Sequence, residues 1–326
     1  MAKEVQMNSQ SEKLPLLAVV VPCYNEEPVI KNTAGRLLEV LDDLKSKSFI
    51  HPSSFLYFVD DGSKDGTWEI IASLHRAENS IKGLKLSRNA GHQNAVLAGL
   101  LNVKNRVDCV VTLDADLQDD ISVIKTMVED FLAGKEIIYG VRKERKSDTI
   151  LKKITALFFY RFMRFMGADI VFNHADFRLC SKRVLDELAD FREVNLFLRG
   201  IFPLLGFESS IVYYDRSERL AGKSKYPFRK MLSFAFEGIT SFSVAPMRFV
   251  SVVGFLVFVA SLLLSVWALV SALTGKVIPG WASTVIPIYF IGGVQLLSIG
   301  LIGEYIGKIY KEVKARPRFI KEKELF

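Results

Sequence analysis

Two stretches near the C-terminal end restrict the fold of this chain more than anything else in it. Phe249–Leu273 and Trp281–Ile302 contain no Asp, Glu, Lys or Arg, and each is longer than the roughly 20 apolar residues that a helix needs to cross a hydrocarbon core. In lipid the backbone must satisfy its own hydrogen bonds. The pair therefore predicts a helical hairpin, closed by a turn at Thr274–Gly280 that includes Lys276 and Pro279. Two spans return the chain to the side it left. Arg229, Lys230 and Arg248 precede the hairpin, and Lys308, Lys311, Lys314, Arg316 and Arg318 follow it, against Lys276 between. The positive-inside rule then predicts a multi-pass protein of the cell inner (cytoplasmic) membrane with both termini cytoplasmic. Gly292, Gly293 and Gln295 predict close helix packing and an interhelical hydrogen bond in the second span.

The rest of the chain is long enough to bury a large core, and with 50% hydrophobic residues among 326 it is not disordered by composition. A net charge of +7 favours anionic partners, whether nucleic acid, acidic lipid or phosphorylated substrates. The scattered Cys23, Cys109 and Cys180 and the histidines at 51, 75, 92 and 174 lack ligand spacing, so neither a zinc site nor a disulfide framework is suggested. Residues 1–14 are polar and predict a loose cytoplasmic tail. Residues 15–224 are expected to form an α/β catalytic domain, 225–248 a juxtamembrane amphipathic segment, 249–306 the hairpin and 307–326 a basic cytoplasmic tail.

Within the expected catalytic domain, short β-branched runs alternate with amphipathic helical patterns. Strands are predicted at Leu16–Val21, Phe55–Val59, Gly83–Leu86, the run through Val110 and Val111, and Glu136–Val141. The helices between them imply a parallel, doubly wound sheet with polar strand ends along one rim. In such sheets ligands gather beyond the carboxyl ends of the strands. There the run from Val110 ends abruptly in Asp114-Ala115-Asp116-Leu117-Gln118-Asp119-Asp120. Two carboxylates brought to one small volume are costly unless a hard cation neutralises them, so a divalent metal holding a diphosphate explains the pair economically. An acidic loop with a helix N-cap at Asp119 or Asp120 is the plainer alternative. Asp60 and Asp61 could accept hydrogen bonds from a nucleobase or ribose, or belong to a capped turn with Gly62, Asp65 and Gly66. Arg88 and the amides of the loop before the third helix could face a phosphate, or form an ordinary polar loop. Ile154–Met166 suits either an interfacial helix or a buried one, and Arg216–Tyr226 either a loop closing on phosphates or a solvated basic loop.

In chain order, Val-Pro-Cys-Tyr-Asn-Glu-Glu at 21–27, Val-Asp-Asp-Gly-Ser-Lys-Asp-Gly-Thr at 59–67, Asp-Ala-Asp-Leu-Gln at 114–118 and Asp-Phe-Arg-Leu at 176–179 resemble glycosyltransferase family 2. Arg-Leu-Ala-Gly-Lys-Ser-Lys-Tyr at 219–226 and Gly-Glu-Tyr-Ile-Gly-Lys-Ile-Tyr at 303–310 resemble its membrane-anchored polyprenyl-phosphate glycosyltransferases, the relatives of dolichol-phosphate mannose synthase that include bacterial undecaprenyl-phosphate glucosyltransferases. The resemblance implies a GT-A (Rossmann-like) fold and inverting transfer from a nucleotide sugar, first of all UDP-glucose, to polyprenyl phosphate for a cell-envelope glycan or lipid modification. It implies contact with membrane lipid, a homo-oligomer and no nucleic-acid partner. Pro22, Tyr24, Glu26, Asp60 and Asp61 would line the nucleoside pocket, and Asp114, Ala115 and Asp116 would hold the nucleotide sugar. Asp116 and Gln118 would meet Mg²⁺ or Mn²⁺. Arg142, Arg178, Lys223, Ser224 and Lys225 would receive the acceptor phosphate or the diphosphate. Asp176, Asp116 and Arg178 are the expected catalytic residues. Because a phosphate monoester has a second pKa near ~6, Asp176 is expected to orient the acceptor or a cationic partner rather than to remove a proton. The same resemblance leaves open another donor, such as GDP-mannose or an amino-arabinose nucleotide, another lipid acceptor, or a non-catalytic scaffold.

Overall fold

The computed structural model describes residues 14–143, 174–194, 196–215, 245–274 and 281–326. The chain divides into two compact units, one combining the N-terminal residues with Pro317–Phe326 and one holding the C-terminal helices up to Arg316. In the first unit the strands are β1 (Leu17–Cys23), β2 (Phe55–Asp60), β3 (Ile81–Leu86), β4 (Cys109–Thr112), β5 (Ile137–Arg142), β6 (His174–Ser181), β7 (Ser209–Tyr214) and β8 (Lys321–Leu325). The described helices of this unit are α1 (Ile30–Ser46), α2 (Thr67–Ala77), α3 (His92–Val103), α4 (Ile124–Leu132), α5 (Lys182–Leu188) and α6 (Leu198–Leu204).

One sheet runs in the order β7-β5-β6-β4-β1-β2-β3-β8. All seven residues of β1 are buried, as expected of a central strand covered on both faces. α1 buries Ile30, Ala34, Leu37, Leu41 and Leu44, the three-and-four spacing of a helix lying on a sheet. The order reverses at β1, which pairs in parallel with β2 on one side and β4 on the other. That reversal opens the crevice in which an α/β sheet binds ligands.

The sheet is mixed, which corrects the all-parallel expectation. β6 runs antiparallel to both β4 and β5, and β8 runs antiparallel to β3. The reversal of β6 has a direct consequence. The start of an antiparallel strand lies beside the ends of its neighbours, so Arg178 falls opposite Thr112 in register. The Thr112 hydroxyl donates to the Asp176 carbonyl oxygen at 2.6 Å. Asp176 is thereby set on the same rim as the carboxylates that follow β4.

The C-terminal residues also depart from expectation. Instead of continuing as a tail, β8 pairs with the free edge of β3, and just before it the Ser87 N–H donates to the Ile320 carbonyl at 2.9 Å.

In the second unit, α7 (Ala245–Leu273) and α8 (Trp281–Val313) coincide with the two uncharged stretches. Phe290–Val313 is by length and composition able to cross a membrane, with a mean hydropathy of 1.4 in its most apolar window. Phe255, Leu263, Trp267, Leu296 and Ile299 are exposed along these helices. So much outward-facing apolar surface marks a membrane or protein contact. The expected interfacial helix at Ile154–Met166 lies outside the described residues.

Candidate active site

Three rim segments build the donor side. The loops after β1 and β2 are laced together: the Asn25 N–H donates to Ser63 Oγ and the Lys64 N–H to Asn25 Oδ1, both at 2.9 Å. The Glu26 N–H donates to Thr67 Oγ1 at 2.9 Å. Asn25 takes a left-handed backbone with φ 55°, a conformation that asparagine tolerates better than most residues. Pro22, Glu26 and the exposed ring of Tyr24 therefore stand next to the end of β2.

Asp60 is wholly buried. Its Oδ1 accepts from the Ser63 N–H at 3.2 Å, while Oδ2 meets no hydrogen-bond partner among the described residues. Burial pushes its carboxyl upward, and Ser63 and Lys85 oppose the rise. A buried carboxylate oxygen without a donor is costly, so Asp60 suits a ligand that brings an N–H or O–H. Asp61 is placed differently. Its two oxygens accept the N–H groups of Ala90 and Gly91 at 2.7 and 3.0 Å. Those amides are thus already committed to Asp61, which favours the ordinary polar loop of the two readings open for this segment.

The loop after β4 is pinned from below, where the Thr33 hydroxyl donates to the Ala115 carbonyl at 2.7 Å. Leu117 adopts φ 46°, a costly conformation for a γ-branched residue and a mark of a functionally constrained loop. Asp116 Oδ1 accepts from the Gln118 N–H at 3.3 Å. Burial pushes the Asp114 carboxyl up to about 6, with Asp176, Asp119 and Asp116 adding to the rise and His92 opposing it. Of the two residues expected to cap the next helix, Asp120 does so, accepting from the Ser122 N–H at 3.0 Å. Asp119 instead is buried and accepts from Arg142 Nη2 at 3.0 Å and the Tyr214 hydroxyl at 2.6 Å.

Asp176 forms the other side. Arg178 Nη2 donates to Oδ1 at 2.8 Å. Arg199 binds it two-pronged, Nε to Oδ1 at 3.1 Å and Nη2 to Oδ2 at 3.0 Å. Burial by itself would raise this carboxyl, but His92, Arg199 and Arg178 together outweigh it and hold it well below the usual range. The Arg178 guanidinium is itself buried, stacked 4.4 Å from the ring centre of Phe202. Its Nη1 meets no hydrogen-bond partner among the described residues.

His92 joins the two sides. Its Nε2 lies 3.5 Å from Asp114 Oδ1 and 3.5 Å from Asp176 Oδ2. Burial disfavours its charged form, yet Asp176 and Asp114 raise its pKa above the ordinary imidazole value.

The residues expected from the sequence are thus only partly brought together, with Ala115, Asp116 and Gln118 in the loop after β4. Asp114, Asp176 and Arg178 converge through His92, and Pro22, Tyr24, Glu26, Asp60 and Asp61 gather at neighbouring strand ends. Arg142 spends Nε and Nη2 on Asp119 and Tyr214 rather than standing free for a phosphate. Lys223, Ser224 and Lys225 lie outside the described residues. His92, Arg199, Asp119 and Tyr214 are additions that no linear motif announced, although Arg199 is the lone cation in Leu196–Pro203.

Among the described residues no three His, Cys, Asp or Glu side chains form a ready metal cage. Asp114 and Asp116 nevertheless supply the hard oxygen donors that Mg²⁺ or Mn²⁺ prefers. Such ions commonly take one or two carboxylates and complete their shell with phosphate oxygens and water. The residues present fit that mode, and a cation bound beside it would relieve the raised Asp114 carboxyl.

A mixed α/β sheet reversing at β1, with an acidic rim on one side and an arginine-held carboxylate on the other, is the frame of a sugar-transferring enzyme of the GT-A class. Residues 18–189 match the model of Glycosyl transferase family 2, and residues 245–309 match that of the GtrB C-terminal hairpin. The chain belongs to glycosyl transferase family 2 and is a membrane-associated glycosyltransferase. It is 54% identical over 96% of its length to 93% of the uncharacterized glycosyltransferase YkoT of Bacillus subtilis (strain 168). It is 38% identical over 94% of its length to 97% of the SfII prophage-derived bactoprenol glucosyl transferase of Shigella flexneri. Against the prophage bactoprenol glucosyl transferase homolog of Escherichia coli (strain K12), identity is 36% over 93% of this chain and 97% of that one.

Proposed function

We propose that the protein transfers glucose, with inversion, from UDP-glucose to polyprenyl phosphate at the cytoplasmic face of the membrane. The observation that carries this reading is the meeting of Asp114 and Asp176 at His92, which sets a donor-side and an acceptor-side carboxylate within one small volume. Near full-length similarity to proteins named bactoprenol glucosyl transferases supports the sugar and the carrier.

Asp60 Oδ2 would accept the uracil N–H, satisfying its buried oxygen. Asp114 and Asp116, with Gln118, would hold a divalent ion on the diphosphate. That ion supplies neutralisation of the charge that builds on the leaving UDP. A phosphate oxygen of the acceptor attacks the anomeric carbon from the face opposite the diphosphate. The new carbon–oxygen bond forms as the old one breaks, and its electron pair leaves with UDP. The attacking phosphate is largely dianionic at pH 7 because its second pKa is near ~6, so no side chain need remove a proton. Asp176, ionised and gripped by Arg178 and Arg199, orients those cations toward the acceptor. Orientation and fixed charge then supply most of the rate enhancement.

The hairpin holds the chain at the membrane, with both termini cytoplasmic. An acceptor chain cannot leave the bilayer cheaply, at about 0.8 kcal/mol per exposed CH₂, so the enzyme must reside where the carrier does.

Calorimetric titration with UDP and GDP, each with Mn²⁺ and with EDTA, tests the donor half. UDP should bind with metal and lose affinity in EDTA, and Asp60→Ala should weaken it about tenfold. Tighter binding of GDP than of UDP would overturn the choice of donor.

A further inference from the structure

Ala90–Gln93, which gives His92 to the site described above, touches both halves of that site through its other residues as well. On the donor side Asp61 holds the N–H groups of Ala90 and Gly91. Gly62 follows with φ +65°, and a Cβ there would lie 2.5 Å from the Arg88 carbonyl carbon. The loop after β2 therefore packs closely on the backbone at Arg88, just before this segment, and holds the segment itself through the Asp61 carboxylate. Gly91, at φ +93°, then turns the chain into α3 through a conformation that residues with a Cβ rarely adopt.

On the acceptor side His92 stands between Asp114 and Asp176. Gln93 Oε1 accepts the N–H of Leu198 at 2.8 Å. Leu198 is the first residue of α6, and the next, Arg199, is the one that grips Asp176 with two nitrogens. A short path of covalent and hydrogen bonds thus runs from the end of β2 to the Asp176–Arg199 pair.

We infer that Ala90–Gln93 is a positioning relay, through which a nucleotide bound at the end of β2 fixes Asp176 and Arg199 for the acceptor, with His92 and Gln93 as positioning residues. The relay rests on the assignment of the β2 end to the nucleotide and of Asp176 to the acceptor side. Occupancy of one site can stabilise the other only through differential contacts in the two states, and this segment supplies them. The acceptor accordingly binds the nucleotide-loaded enzyme more tightly than the free one.

Hydrogen exchange on the full-length protein, with and without UDP and Mn²⁺, tests the relay in wild type, Gln93→Leu and Gln93→Glu. The leucine removes the acceptor for the Leu198 N–H and the glutamate keeps one. In wild type, UDP should slow exchange at residues 90–91 and also at 196–205. In Gln93→Leu the protection should remain at 90–91 and vanish at 196–205, and Gln93→Glu should restore it. Gln93→Leu should also raise the acceptor KM about tenfold and, because coupling is reciprocal, abolish the tightening of UDP binding by the acceptor. A bond of merely structural value would loosen 196–205 equally with and without UDP, and that result overturns the relay. So does wild-type protection that stops at 90–91. If UDP protection reaches 196–205 while wild type fails to glucosylate polyprenyl phosphate, the relay stands and the acceptor assignment falls.

Discussion

In the proposed reaction Asp176 serves the acceptor side, and it is one buried carboxylate with two arginine partners. Removing its charge leaves the buried Arg178 uncompensated, a loss on the order of 3 kcal/mol. Asp176→Asn should therefore lower the denaturant midpoint and cut kcat by about a hundredfold or more. Activity should not return at pH 9, because the lost function is charge placement and not proton removal. Recovery at high pH would show instead that Asp176 is a base. The pH dependence of stability follows from the same contacts. Its folded pKa is depressed, so the unfolded state binds the proton more readily, and the carboxylate stabilises the fold above the unfolded value of about 3.9. That contribution is lost as pH falls through the lower, folded pKa. Urea titrations should show the stability gap between wild type and Asp176→Asn narrowing below about pH 4. The carboxylates themselves were legible in the sequence, because acidic residues directly after apolar strand runs have few reasons to be there. His92 and Arg199 were not, since their roles depend on α3 and α6 meeting at one rim, and no local spacing encodes that meeting.

At the scale of elements, β8 is the clearest divergence between sequence and structure. Lys-Glu-Lys-Glu-Leu alternates charge with little β-propensity and reads as a solvated tail. It becomes a strand because β3 offers an unpaired edge, and edges of this kind are commonly covered. Its anchors are specific: Lys85 pairs with Glu322 at 3.5 Å, and the Phe326 ring packs edge-on to Phe55 at 5.5 Å. The Arg106 guanidinium lies 3.5 Å from the Phe326 ring centre. Phe326→Ala should cost about 1–2 kcal/mol and speed amide exchange in Ile81–Leu86, leaving the KM for donor unchanged. The helix–strand interface gives an independent check. A Cβ on Gly99 would lie 2.5 Å from Val20 Cγ1 and 2.8 Å from Val59 Cγ2, so Gly99→Ala should destabilise by about 1–3 kcal/mol in thermal unfolding. By contrast β1, β2 and β4 were visible from composition alone, since strands buried on both faces must be apolar throughout.

At the scale of the whole molecule, the chain leaves the α/β unit, forms the helices that match the hairpin family, and ends with β8 in the sheet of the first unit. A hairpin with both ends cytoplasmic makes a direct topological prediction. A cysteine replacing Lys276 should react with an impermeant maleimide added outside intact cells, while a cysteine replacing Lys314 should react only after lysis. Reaction at position 314 in intact cells would reverse the orientation. The most direct test of the central claim is transfer from radiolabelled UDP-glucose to undecaprenyl phosphate by membranes carrying the protein, with Mg²⁺, with Mn²⁺ and with EDTA. We predict a chloroform-soluble, acid-labile glucolipid that requires metal and is lost in Asp116→Asn. No lipid product from UDP-glucose, in membranes where UDP still binds with metal, would contradict the claim.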